Sequence, residues 1–263
     1  QAMVATNESL HEWMDEGFTS WAESRCMAEL FADPMKPSEN PHKWSYSGYI
    51  NQHLSGNEEP LITHADHYKT NRAYGIGAYA KGEVFVEQLG AVVGTATRDE
   101  GMRRYFKEWS FKHPGPHDFK RVMERESGLE LDWYFQEMMH TTNAIDYAVE
   151  SVVNDGESVT VELSRRADMP MPQDLSLAWD DGTVTLVHIP LVMMRGHRPL
   201  NEGEILGTDW PWVDPKYTYT CPSEGRKLTS VTLDAAGLQA DIHRDNNALT
   251  FDLSRVQEAG QSN

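Results

Sequence analysis

The stretch Asp15-Glu16-Gly17-Phe18-Thr19-Ser20-Trp21-Ala22-Glu23 gathers acids that could do chemistry. At about 100° per residue, Glu12, Glu16 and Glu23 fall within about 40° of one another on a helical wheel. They sit roughly opposite an apolar stripe of Leu10, Trp13, Met14, Phe18, Trp21, Ala28 and Phe31. Two readings fit. One is a solvated acidic face. The other is a metal site in which Glu16 is a ligand carboxylate and Glu23, two turns along, supports it as a second-sphere group. His11-Glu12 opens a His-Glu-x-x pattern, but position 15 is Asp, so this is not the His-Glu-x-x-His zinc helix.

Other chemistry-bearing residues have plainer readings. Tyr79, in Ala78-Tyr79-Ala80-Lys81-Gly82, reads alone as an interface tyrosine with its hydroxyl at the water edge. His64 and His67 are three apart with no third ligand, which is poor zinc geometry, and read as a loop or cleft wall. Asp241, Asp245 and Asn246 lack the EF-hand spacing and read as a turn. Cys26 lies among apolar helical neighbours and reads as a small core residue. Cys221 lies far along the chain; no Cys-x-x-Cys pattern occurs, and a disulfide is neither implied nor excluded.

The elements that must position these residues change character near residue 143. Before it, apolar residues recur at helical spacing. Helices are expected over Ser9–Phe31, ended by Asp33-Pro34, and over His42–Leu54, Thr70–Gly90, Arg98–Lys112, Asp118–Glu126 and Asp132–Met139, with Asp118 and Asp132 as N-caps. Gly75 and Gly77 weaken the third. After Asn143 the pattern alternates. Strands are expected at Ser158–Leu163, Leu175–Trp179, Thr183–Ile189, Tyr217–Cys221, Leu228–Asp234 and Leu238–Ile242, with Asp180-Asp181-Gly182 as a hairpin turn. The expected organisation is α+β: an all-helical part over 1–142, an antiparallel β-sandwich over 143–254, and a frayed tail over 255–263.

Composition bounds the function. Lys and Arg number 23 against 41 Asp and Glu, a formal charge of −18, which disfavours nucleic acid as a partner. Eight Trp, ten Tyr and eight Phe supply a sizeable core. No run of about 18 apolar residues is present, so no membrane span is expected.

The stretch Met14–Glu23 resembles the Asn-Glu-Gly-Phe-Ala-x-Tyr-x-Glu motif of the aminopeptidase N family of gluzincin zinc metallopeptidases, with Asp15 in place of the usual Asn. Ala78–Gly82 resembles the family's Tyr-x-Lys-Gly element, 63 residues beyond Glu16. Tyr74 is similar to a tyrosine of some members. A broader likeness runs through Lys112–Phe119, Met123-Glu124, Leu131–Phe135, the Met169-Pro170-Met171-Pro172 stretch and Ala240–Asn247, so it covers most of the chain.

The resemblance implies the C-terminal half of a thermolysin-like catalytic domain followed by a β-sandwich. It implies that Glu16 is the third zinc ligand, that Tyr79 hydrogen-bonds the tetrahedral intermediate, and that the substrate is a peptide with a free N-terminus. In the family a His-Glu-x-x-His helix precedes that glutamate by a gap of eighteen residues. Only fifteen residues precede Glu16 here. The second histidine is therefore expected three or four positions before Gln1, in an N-terminal half of the same chain. The part in hand is expected to be inactive and to hold no zinc of its own, and self-association is one way to cover the surface that half would occupy. The resemblance leaves the compartment open between periplasm and cytoplasm of a bacterium. The alternative function is a noncatalytic helical and β-sandwich module that binds a partner or a glycan. The coding sequence just upstream separates the two: an ordinary loop there removes the enzyme reading.

Overall fold

The computed structural model describes residues 3–32 and 40–251. The expected helix stop at Asp33-Pro34 and the tail over 255–263 lie outside them. The fold is α+β, and the described residues divide into two compact units. One is helical and comprises the chain up to Ala144 together with Met193–Pro199 and Gly237–Ile242; the other comprises Ile145–Val192, Leu200–Ala236 and the chain from His243.

The helical unit contains α1 (Glu12–Leu30), α2 (Lys43–Leu54), α3 (Asn71–Gly75), α4 (Gly82–Val93), α5 (Thr95–Trp109), α6 (Pro116–Ser127) and α7 (Asp132–His140). Every residue of α4 is buried, so it is the central helix rather than an amphipathic surface one. Phe85 on α4 gathers the core, with ring centroids 4.8 Å from Trp13, 5.2 Å from Tyr134 and 5.1 Å from Phe135. The Thr70–Gly90 expectation resolves into three pieces. Thr70 caps α3, accepting from the Ala73 amide at 3.0 Å, and a π-helical turn over Ile76–Lys81 joins α3 to α4.

Several expectations are corrected. Asp118 is not the N-cap of α6. Gly115 is, and Asp118 sits three residues inside and accepts from the Gly115 amide at 3.0 Å. Asp132 is the first helical residue of α7, not its cap. Glu12 is not on a solvated face: it is 1% exposed. Cys26 is exposed rather than core, because the apolar stripe of α1 is covered only at its start; Trp13, Met14 and Trp21 are buried, whereas Phe31 is 71% exposed. Both cysteines are free thiols.

The second unit holds two sheets, in the orders β1-β2-β6 and β5-β4-β3-β7-β8. The strands are β1 (Tyr147–Asn154), β2 (Ser158–Arg165), β3 (Gln173–Trp179), β4 (Val184–Ile189), β5 (Ile205–Leu206), β6 (Lys216–Pro222), β7 (Leu228–Leu233) and β8 (Ala248–Thr250). All pairings are antiparallel except β4–β5. Strand β3 alternates buried and half-buried residues along its whole length, as a strand with one core face should. Leu238–Ile242 is not a strand. It is irregular chain in the helical unit, where the Leu238 carbonyl accepts from the Tyr46 hydroxyl at 2.7 Å and the Ala240 amide donates to Gln88 at 2.8 Å.

A buried polar network ties α1, α4 and α5 to the start of α2. His42 places Nδ1 2.6 Å from Glu83 and Nε2 3.2 Å from Glu87. Ser24 and Ser45 also donate to Glu83, and Trp21 and Arg98 to Glu87. Burial pushes these groups towards their neutral forms, but their mutual hydrogen bonds outweigh it. His42 is held above its ordinary value, Glu83 below the usual carboxylate range, and Glu87 down at about 2.

The sign follows from linkage. The raised His42 stabilises fully below about pH 6.5 and loses that contribution as pH rises through its folded value; the lowered glutamates stabilise above about pH 4.5 and lose theirs on acidification. The thermal midpoint should therefore be highest between about pH 4.5 and 6.5 and decline on the alkaline side. His42→Gln should cost about 3–5 kcal/mol at the optimum, by stranding buried carboxylates, and flatten the alkaline decline. A wild-type midpoint that stays level from about pH 6 to 9 would rule out the imidazolium.

Candidate active site

Helix α1 meets the start of α4 backbone to backbone. A Cβ placed on Gly17 would lie 2.5 Å from the Gly82 Cα, and one on Gly82 would lie 2.9 Å from the Gly17 Cα. Any side chain at either position would force the helices apart. Gly17 directly follows Glu16, and Gly82 lies three residues beyond Tyr79, so this contact brings the two short motifs together.

The π turn sets the direction of Tyr79. Its wider bonding, with the Gly82 amide donating back to the Gly77 carbonyl, adds one residue to the helical run. An uninterrupted α-helix would rotate Tyr79 by roughly 100° relative to α4. As folded, Tyr79 stands 42% exposed with the Glu16 carboxylate beside its hydroxyl. Interaction of the hydroxyl with that carboxylate is the main reason the phenol is pushed up to about 12, with burial and the Glu16 charge adding to it. Tyr74 lies near enough for Glu12 and Glu16 to raise its phenol too, after burial.

Glu16 and Tyr79 are thus adjacent, whereas Glu23 is exposed two turns along α1. His64 and His67 belong to a single 3-10 turn, Ala65–His67 and its cap; the His64 ring accepts from the Asp66 amide at 3.1 Å and lies 4.9 Å from the His67 ring. Arg244–Asn246 forms another 3-10 turn, with Asn246 donating to Asp146 at 2.9 Å.

Three groups near the site escaped sequence reasoning. Glu12 is buried with its carboxyl pushed up by desolvation, and neither oxygen has an aligned hydrogen-bond partner, although the Tyr68 hydroxyl lies beside it. The Tyr68 ring packs over Gly77 of the π turn, where a Cβ would meet its hydroxyl at 2.8 Å. Lys81, at the end of that turn, is 1% exposed and ion-paired to Glu58 at 2.5 Å. The Lys-Gly half of the Tyr-x-Lys-Gly element was the available signal for Lys81; nothing in the sequence marked Glu58 as its partner.

Glu16 offers one oxygen donor of the type zinc accepts, enough for one ligand of the three or four a site requires. Among the described residues, the one group of three or more His, Cys, Asp or Glu side chains close enough to share a metal is Glu124, Glu130 and Asp132, which excludes Glu16. Those acids are already engaged: Glu124 accepts from the Leu131 amide and Asp132 pairs with Lys120. A cavity of about 790 Å³ in the helical unit is lined by His11, His117, His140 and Trp133, among others, but not by Glu16 or Tyr79.

A family model described as the Peptidase family M1 domain matches residues 3–141, more than half of the chain and including Glu16, Gly17, Tyr79 and Gly82. The chain belongs to peptidase family M1. Leucine aminopeptidase 2 of Neosartorya fischeri is 25% identical over 222 residues, covering 78% of this chain and 36% of that protein. Aminopeptidase N of Streptomyces lividans is 25% identical over 165 residues, covering 60% and 19%. The chain thus spans little more than a third of the first relative and about a fifth of the second. Aminopeptidase A of Legionella pneumophila, solved in complex with aspartic acid, matches 90% of this chain and 24% of its own length with a TM-score of 0.55 at 11% identity, a likeness of fold. Among the described residues, no helix of this M1 chain is long and apolar enough to cross a membrane.

The glycine contact makes a direct prediction. Gly17→Ala should destabilise by about 1–3 kcal/mol, because backbone rather than a flexible side chain stands in the way. It should also draw Tyr79 away from Glu16, read as a fall of the Tyr79 phenol towards the ordinary tyrosine value in a spectroscopic titration. A fully stable variant with an unchanged titration would refute the contact.

Proposed function

We propose that this chain is part of a zinc-dependent aminopeptidase that removes N-terminal residues from peptides, and that Glu16 and Tyr79 are its share of the catalytic centre. The observation that carries the reading is that these two side chains, 63 residues apart in sequence, lie close enough for the Glu16 carboxylate to raise the Tyr79 phenol, where the Gly17–Gly82 contact brings their motifs together. The M1 family match and the aminopeptidase names of the relatives support it.

Glu16 would hold the zinc together with ligands outside the described residues. A bound zinc supplies Lewis-acid polarisation of the scissile carbonyl and a water acidic enough to attack at neutral pH. The chain's own contribution is then specific. Tyr79 is exposed enough to reach a bound peptide, and a phenol with an ordinary pKa of about 10 is protonated at neutral pH. It donates to the carbonyl oxygen, and more strongly as that oxygen gains charge, so it lowers the barrier rather than only tightening binding. Glu23, on the same helix, is proposed to act on the site electrostatically from beyond direct contact with the metal. The 263 residues alone should neither retain stoichiometric zinc nor cleave an aminoacyl arylamide, because one carboxylate is too few ligands.

In the longer protein, Glu16→Ala should abolish zinc retention. Tyr79→Phe should keep the zinc and lower kcat by about 10²–10³. One tightly held zinc per Glu16→Ala chain would sink the ligand role. A kcat within a few-fold of wild type and a raised KM would make Tyr79 a binding residue instead.

A further inference from the structure

We propose that the buried Lys81–Glu58 ion pair is the positioning device for Tyr79, clamping the π turn that carries it; the catalytic meaning of the clamp rests on the reading of Tyr79 given above. Lys81 closes the turn two residues after Tyr79. Its Nζ lies 2.5 Å from Glu58 Oε1 and 3.3 Å from the Thr141 carbonyl, 5.5 Å over the Tyr49 ring. Glu58 uses its other oxygen for His53 Nδ1 at 2.7 Å, and its loop is fastened to α2 by Gln52 donating to the Asn57 carbonyl at 2.7 Å. One end of the π turn is therefore bolted to α2 and to the chain after α7.

Stability alone does not account for such a pair. Burying two charges gains little over a well-packed apolar pair of the same volume. What an ion pair adds is direction, since it is satisfied in one geometry only. The π turn is where such an anchor matters, because it is an uncommon single-turn insertion between the α-helical turns on either side. Tyr79 is 42% exposed, with the Glu16 carboxylate beside its hydroxyl, so its place next to Glu16 depends on the backbone beneath it. Elsewhere on the turn, Gly48 of α2 approaches Ile76 and Ala80, Gly77 lies under the Tyr68 ring, and α1 packs against the turn as well. They set the spacing of the turn but supply no directional bond. Lys81 and Glu58 touch no reacting group, so they are positioning rather than catalytic residues.

The test is the double variant Lys81→Met/Glu58→Gln, which removes both charges without leaving either one buried alone and keeps an acceptor for His53. In the 263-residue chain, hydrogen exchange should lose about ten-fold or more protection over residues 76–82 while residues 84–93 of α4 keep theirs. In the longer zinc-loaded protein, kcat should fall about 10–100-fold, with KM and zinc content within a few-fold of wild type. Adding Tyr79→Phe should then cost far less than it does in the wild-type background, since a misplaced phenol has little left to lose. Unchanged protection over 76–82, protection lost evenly through the helical unit, or fully additive kinetic effects would each overturn the clamp. Absence of turnover in the wild-type longer protein would instead remove the aminopeptidase reading, and the exchange result would still decide whether the pair holds the turn.

Discussion

Two α-carbons in near contact govern the helical unit. Where Gly17 faces Gly82, neither α1 nor the start of α4 has a side chain to hold the backbones apart. The approach places the residue before one glycine next to the residue three before the other, and these are Glu16 and Tyr79. Each short motif couples one of these side chains to a glycine that lets the two meet. Close packing of this kind is unforgiving, because a single methyl group has nowhere to go.

Around that contact the unit carries an unusual amount of buried charge. The His42, Glu83 and Glu87 cluster lies on one side of α4, joined through Arg98 to Asp99 and Arg25. Lys81 and Glu58 form a second pair at the end of the π turn. Each cluster satisfies its charges internally, as a low-dielectric site requires. The first links four helical elements and answers to pH; the second bears on one turn. Glu12 is the exception, a buried acid without an aligned partner, and burial favours its neutral form.

Much of this was legible in the sequence, for identifiable reasons. The helical block, the alternating strands β2 and β3, and the Asp180–Gly182 hairpin follow from periodicity and turn chemistry, which are local. Glu16 and Tyr79 stand out through motif spacing, and the fold sets the two side by side. What could not be read is what depends on long-range contact. Strand β1 does not stand out in the sequence because a bulge between Val149 and Ser151 breaks its period of two. Leu238–Ile242 has strand-like composition, yet its backbone groups are taken up by side chains of Tyr46 and Gln88. The exposure of Cys26 and Phe31 reflects where tertiary cover ends, which a helical wheel does not record. The π turn left only Gly75 and Gly77 as a trace, read as weakened helix rather than altered helix. Glu58 gave no sign that it would find Lys81.

The most direct measurement is anomalous diffraction at the zinc edge from crystals of the longer protein. The expected result is a single strong peak within bonding distance of the Glu16 carboxylate, with the Tyr79 hydroxyl beside the same centre and Gly17 still against Gly82. A peak at Glu124, Glu130 and Asp132 instead, or a zinc centre that leaves Glu16 uncoordinated, would contradict the assignment of this pair as the chain's part of the active site.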